Sequence, residues 1–159
     1  MKANEQSGKS KQNYGTPWEF IQAVKLKLSI NDFTVDLAAD ELNAKAAFFY
    51  TEEDDALIQD WSQWVGMWCW LNPPFEDITP WVEKAYKESL VGAQVAMLVP
   101  LSIAQWWLDW VDRKAYVFML NGRITFEGET KPYPKDCALL LYTPSGMKGY
   151  EVWKWRWNS

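Results

Sequence analysis

The chain has 159 residues and a formal net charge of −5, and it carries 12 Trp, 7 Tyr and 7 Phe but no His. Without His there is no Ser-His-Asp or Cys-His nucleophile machinery, no His-ligated zinc and no His-based pH switch. Cys69 and Cys137 are too few for a four-thiolate metal site and lack a disulfide-scaffold spacing, so reduced thiols in a cytosolic protein are expected. The N-terminus has no apolar run of signal-peptide type, and no stretch reaches the roughly 18 apolar residues of a membrane-spanning helix.

Residues 1–13 are polar and aperiodic and read as a flexible tail ahead of a single domain over residues 14–159. Thr16-Pro17 has the form of a helix start, a Thr cap followed by Pro at the first helical position. Phe20, Ile21, Val24 and Leu28 follow at helical spacing and predict a helix near 17–29. The run Phe33–Leu37 reads as a short strand ending in acid, Glu41–Ala47 as helix-compatible and Phe48–Tyr50 as a second strand. Trp68–Leu71 is continuously apolar, as a strand covered on both faces would be, and stops at Asn72-Pro73-Pro74-Phe75. A helix near 79–90 is expected next, capped by Thr79 with Pro80 at its first position. Val95–Val99 predicts a strand, 102–112 a helix, 115–120 a strand, 123–126 a hairpin arm and 137–142 the last buried strand. In 151–157, Trp153, Trp155 and Trp157 alternate with Lys154 and Arg156. That is the pattern of an edge strand that buries Trp, or of a stacking and cationic surface for nucleic acid.

Strands alternating with helices imply an α/β fold with a mostly parallel central sheet and helices on both faces. Ligands in such folds bind beyond the carboxyl ends of the strands. Asp36–Asp40, Asn72–Phe75 and Pro100–Ser102 each follow a predicted strand, so they are expected as neighbours on one rim. The net charge hides a segregation. Residues 32–60 carry nine acids against Lys45, a net −8, while 1–31 carry +3 and 113–159 carry +4. This is the pattern of an acidic ligand pocket flanked by basic surfaces that meet phosphates, or of clustering on a solvated surface.

Asn72-Pro73-Pro74-Phe75 is the most specific feature of the chain. Two prolines lock φ and remove two N–H donors, and Asn72, preceding a Pro, is held extended. The result is a rigid turn that offers an amide oxygen and neighbouring carbonyls beside an aromatic ring. It suits an amino group on a flat heterocycle; it also suits a strand-terminating turn with a packed Phe.

Asn72-Pro73-Pro74-Phe75 resembles the (Asp/Asn/Ser)-Pro-Pro-(Tyr/Phe/Trp) motif of S-adenosylmethionine-dependent DNA amino-methyltransferases. The wider pattern resembles the phage-type DNA N6-adenine methyltransferases (Dam) among them. It comprises Tyr14-Gly15-Thr16-Pro17, FTVDLAAD (33–40), Asn43-Ala44, Phe49-Tyr50-Thr51, Asp55-Ala56-Leu57, Asp60-Trp61 and WLNPPF (70–75). It continues with Trp81-Val82, LVP (98–100), Trp106-Trp107 and Gly122-Arg123-Ile124-Thr125-Phe126, in the family's order over about residues 14–142.

The resemblance implies a Rossmann-like methyltransferase fold and methylation of adenine N6 in DNA, with S-adenosyl-L-methionine as cofactor. Adenine would be flipped from the duplex and stacked on Phe75. Asn72, through its side-chain oxygen, and Pro73, through its carbonyl, would accept its exocyclic N–H groups, on a turn stiffened by Pro74. Tyr14, Thr16, Pro17, Asp36, Ala38, Asp40 and Asp55 are the implied cofactor-binding residues. Here Ala38-Ala39 stands where many methyltransferases carry a glycine-rich turn. Arg123, with Lys114, Lys131 and Lys135, is the expected DNA-binding set. No metal or membrane is implied. Little chain is left for a separate target-recognition domain, so loops or the second copy of a homodimer would read double-stranded DNA. A phage or prophage origin and a bacterial cytoplasm fit the resemblance. Methylation of another amine (cytosine N4, RNA adenine or protein glutamine), a non-catalytic nucleic-acid-binding relative and a Trp-rich protein-interaction module remain as alternatives. A cytosine-C5 enzyme would need a Cys nucleophile beside Pro, and neither Cys69 nor Cys137 has that setting.

Overall fold

The computed structural model describes residues 15–156. Seven strands form one sheet in the order β2-β1-β3-β4-β6-β5-β7. They are β1 (Val35–Asp36), β2 (Phe48–Phe49), β3 (Trp68–Leu71), β4 (Gln94–Pro100), β5 (Tyr116–Asn121), β6 (Cys137–Tyr142) and β7 (Gly149–Lys154). Only β6 runs against the others, so the sheet is mixed but mostly parallel. Among the described residues, no helix is long and apolar enough to cross a membrane.

The period of two along each strand sorts the core into two layers. Val95, Met97 and Val99 of β4 and Ala138, Leu140 and Tyr142 of β6 face α2 (Thr79–Ser89) and α3 (Gln105–Trp110). Ala96, Leu98, Leu139 and Leu141 face α1 (Trp18–Leu28), which packs Phe20, Ile21 and Val24 against them. β4 and β6 are therefore apolar on both sides, which explains the unbroken runs AMLV and CALLLY.

Several local expectations shift. Neither α1 nor α2 is capped by threonine. Pro17 takes the cap position of α1 and Ile78 that of α2, and neither helix has a side-chain cap. Residues 41–47 form no helix, because side chains take the amides a helix would use. Asp40 Oδ1 accepts from the Leu42 and Asn43 amides, and the Lys45 amide donates to Asp36 Oδ2 at 2.9 Å. The helix expected over 102–112 contracts to Gln105–Trp110, since Ser102 Oγ accepts the Ala104 amide and Arg113 turns left-handed at φ 62°. Residues 123–126 form no hairpin arm. Ile124 accepts from the Tyr133 amide, and the Glu127 amide donates to Gly15, so the segment ties two loops together. The strand over 137–142 is the last buried one, as expected. β7 follows it on the sheet edge, paired parallel to β5, with Trp153 and Trp155 on the α1 layer; Trp157 lies outside the described residues.

Candidate active site

β1, β3 and β4 are adjacent and parallel, so their carboxyl ends share one rim and bring Asp36–Asp40, Asn72–Phe75 and Pro100–Ser102 onto it, as expected. Because β6 runs backwards, the connection from β5 to β6, residues 122–136, lies on this rim too.

Asp36 ends β1 and is only 2% exposed. Its carboxylate accepts the backbone N–H of Ala38 at 3.2 Å and of Lys45 at 2.9 Å. The Lys45 ammonium is turned elsewhere, bonded to Glu127 Oε1 at 2.8 Å and lying 4.5 Å from the Trp18 ring centre. Burial therefore wins over the two amide bonds and raises the Asp36 carboxyl to about 7. A buried carboxyl held so high, beside open space, suits a cationic ligand. That space is a small polar pocket of about 10 Å³ between Thr16, Asp36, Asn43 and Asn72, room for about one water.

Ala38 also lines a second pocket, of about 110 Å³, with Ala39, Thr51, Glu52, Asp55, Pro74 and Trp81. This is smaller than the roughly 300–1,000 Å³ of a whole ligand site. It accommodates one flat moiety between the Trp81 indole, the Pro74 ring and the backbone of Ala38-Ala39. Its acids, Glu52 and Asp55, account for part of the negative segment. Asp55 sits at φ 52°, a left-handed conformation that Asp tolerates, and its side chain accepts the Leu57 amide. The exposed Asp40 instead closes its own turn with Asn43, whose Oδ1 accepts the Asp40 amide. Thr51 and Trp81 belong to the resembling pattern without an assigned role there, and Glu52 was not singled out in the sequence. Glu52 was findable, because it follows β2 as Asp36 ends β1.

Asn72 is half-buried and donates through Nδ2 to Thr16 Oγ1 at 3.0 Å. The Thr16 hydroxyl, expected to cap a helix, serves the tetrapeptide instead. Pro73 is buried, and Pro74 forms part of the larger pocket. The Phe75 ring meets Tyr133 edge-to-face at 5.5 Å and Phe126 at 6.0 Å. The 122–136 connection thus supplies an aromatic wall beside the turn. Tyr133 is a site neighbour that sequence reasoning missed, because no local pattern marks it.

Arg123, Lys131 and Lys135 lie on the exposed 122–136 connection at the rim, with Arg123 paired to Asp136 at 3.2 Å. Lys114 does not join them. It precedes β5 at the opposite rim, its ammonium 5.5 Å from the Tyr86 ring centre. Tyr14 lies outside the described residues, and Pro17 adjoins the site only through Thr16. Cys69 and Cys137 are buried free thiols that burial pushes up to about 12, the opposite of nucleophile activation. Among the described residues, no group of three or more Cys, Asp or Glu is placed to hold a metal ion.

Residues 4–140 match the family model "DNA N-6-adenine-methyltransferase (Dam)". The chain is 31% identical over 144 residues to a DNA N-6-adenine-methyltransferase of Haemophilus phage HP1 (strain HP1c1), covering 86% of this chain and 81% of the relative. It is 30% identical over 140 residues to a DNA N-6-adenine-methyltransferase of Escherichia phage T1, covering 87% of this chain and 56% of that longer protein.

Proposed function

The chain belongs to the DNA N-6-adenine-methyltransferase (Dam) family, and from that membership we propose that it methylates N6 of a flipped adenine in double-stranded DNA, with S-adenosylmethionine as donor. The sheet is read as a Rossmann-like methyltransferase sheet, the donor lying over the ends of β1 and β2 and the base over the end of β3. The observation that carries this reading is the juxtaposition at one rim of a half-buried amide, Asn72, a buried carboxyl, Asp36, and the aromatic ring of Phe75.

Each group has a physical task. The donor, when bound, supplies a methyl group activated by a sulfonium. Asp36 and the acids Glu52 and Asp55 give its pocket the negative potential that a cationic ligand needs. Ala38 and Ala39 let the backbone approach it closely, and Trp81 and Pro74 flank a flat ring. Tyr14 and Pro17 belong to the segment that would cover its methionine end. Asn72 Oδ1 and the Pro73 carbonyl accept the two N6–H groups of adenine. This matters because the N6 lone pair is delocalised into the ring, and two acceptors favour the pyramidal nitrogen that localises it. Phe75 stacks on the base, and the rest is orientation. Arg123, Lys131 and Lys135 face the phosphates from the same rim, which reconciles an acidic chain with a polyanionic partner. A homodimer and a bacterial cytoplasm as the place of action belong to the same reading.

Tritiated methyl transfer to unmethylated DNA, followed by nucleoside digestion, tests it. N6-methyladenine is the expected product. A folded chain that labels only cytosine, RNA or protein, or nothing, overturns the reading.

A further inference from the structure

The segment before α1 makes contacts that a helix start does not require. Thr16 is 1% exposed, stands where a capping side chain is expected, and caps nothing. Its hydroxyl oxygen instead accepts from Asn72 Nδ2 at 3.0 Å, across 56 residues of sequence. The backbone around it is fixed by a relay that starts at the other side of the site. Asp36 holds the Lys45 amide, the Lys45 ammonium holds Glu127, and the Glu127 amide donates to the Gly15 carbonyl at 2.9 Å. Gly15 keeps this approach close: a Cβ there would stand 2.2 Å from Glu127 Oε1, so the Glu127 side chain would have to shift.

The amide of Asn72 has an acceptor end and a donor end of nearly equal size. With the donor end toward the substrate, an NH2 would oppose the NH2 of adenine. With the donor end on Thr16, Oδ1 is the end turned away from Thr16. Asp36 lines the same small pocket as Thr16.

We propose that Thr16 is a positioning residue of the methyl-transfer reaction: its buried hydroxyl anchors the Nδ2 end of Asn72 and so presents the Oδ1 end to the adenine amino group. This rests on the methyltransferase reading above. It also gives Thr16 a task apart from covering the donor.

The test compares Thr16→Val, which keeps the shape and removes the hydroxyl, with Thr16→Ser, which restores it, in the full chain. Methyl transfer to unmethylated genomic DNA is measured at saturating S-adenosylmethionine, donor affinity by titration with S-adenosylhomocysteine, and folding by thermal melting. The Asn72 side-chain NH2 is followed by 15N–1H NMR, its signal identified by loss in Asn72→Asp. The expected result is a kcat lower by roughly 10- to 100-fold in Thr16→Val with donor affinity within about twofold of wild type, and recovery in Thr16→Ser. The Asn72 NH2 signal should shift in Thr16→Val and return in Thr16→Ser. If Thr16→Val does not fold, Thr16→Ala replaces it. Unchanged kcat, a loss confined to donor affinity, equal loss in Val and Ser variants, or an unshifted NH2 signal each overturns the proposal. A folded wild type that makes no N6-methyladenine overturns the methyltransferase reading instead, while the NMR comparison still decides the hydrogen bond.

Discussion

The two halves of the rim that carries the candidate site are built differently. The loops after β1 and β2 are acidic and are tied by short-range bonds from side chain to backbone. Asp36 holds Ala38 and Lys45, Asp40 holds Leu42 and Asn43, and Asp54 holds Thr51. The 122–136 connection carries three basic and three acidic residues and is tied by contacts between residues farther apart in the chain. Phe126 and Tyr133 pack on Phe75, Arg123 pairs with Asp136, and Glu127 reaches Lys45. Asn72-Pro73-Pro74-Phe75 stands between them. The charge also differs: the loops after β1 and β2 are strongly acidic, while 122–136 balances Arg123, Lys131 and Lys135 with Glu127, Glu129 and Asp136.

The largest effect is expected at the boundary. Asn72→Ala should lower kcat by at least about 10²-fold while leaving S-adenosylhomocysteine binding intact. A variant as active as wild type would remove Asn72 from the mechanism.

On the 122–136 connection, replacing Arg123, Lys131 and Lys135 together by Ala should weaken DNA binding roughly 10-fold or more. It should also flatten the slope of log affinity against log salt by about 3. Lys114→Ala, at the opposite rim, should change neither quantity. Binding titrations at several salt concentrations check both, and an equal loss at Lys114 would erase the distinction between the rims.

The acidic half should respond to pH. Asp36 is held at about 7 by burial, above the ordinary 3.8. Its native form therefore retains a proton that the unfolded chain releases. That favours folding below about pH 4, and the advantage is lost as pH rises toward 7. A cationic ligand beside Asp36 favours the ionised form. Donor affinity should therefore tighten several-fold between pH 6 and 8, with a proton released on binding below 7. Calorimetry in buffers of different ionisation enthalpy reads that proton, and flat affinity over this range would contradict the cation-site reading.

The smallest effect tests the tie between the halves. Gly15→Ala drives a methyl group into Glu127, whose side chain is 37% exposed and has room to move. A destabilisation of about 1 kcal/mol is expected by urea denaturation, with a loss of activity larger than that of a remote surface substitution of equal stability cost. Equal losses would show that the relay does not reach Asn72.

Much of the fold was legible because its signals are local. The apolar runs of β3, β4 and β6, the double proline after β3 and the spacing of Phe20, Ile21 and Val24 state their structure within a few residues. Helix caps and the 41–47 segment were misread for one reason. A Thr or Asp near an amide looks like a cap, but Thr16 is used by Asn72 and Asp36 takes the Lys45 amide. In the site, the tetrapeptide and Asp36 announced themselves by residue type and position after a strand. Tyr133, Lys45 and Glu127 carried no such mark, since each matters only through a partner distant in sequence.

What the sequence alone determined is therefore the alternation of strands and helices, the rigid acceptor-bearing turn, the segregation of charge and a site without His. What only the tertiary structure decided is which side chains meet. It set the single antiparallel strand β6 that carries 122–136 to the candidate-site rim, and it placed Lys114 away from that rim. It also gave the hydroxyl of Thr16 to the amide of Asn72. Backbone preferences act over a few residues and can be read along the chain. Hydrogen bonds and burial act over a few ångströms, and no local pattern encodes which residues the folded chain brings that close.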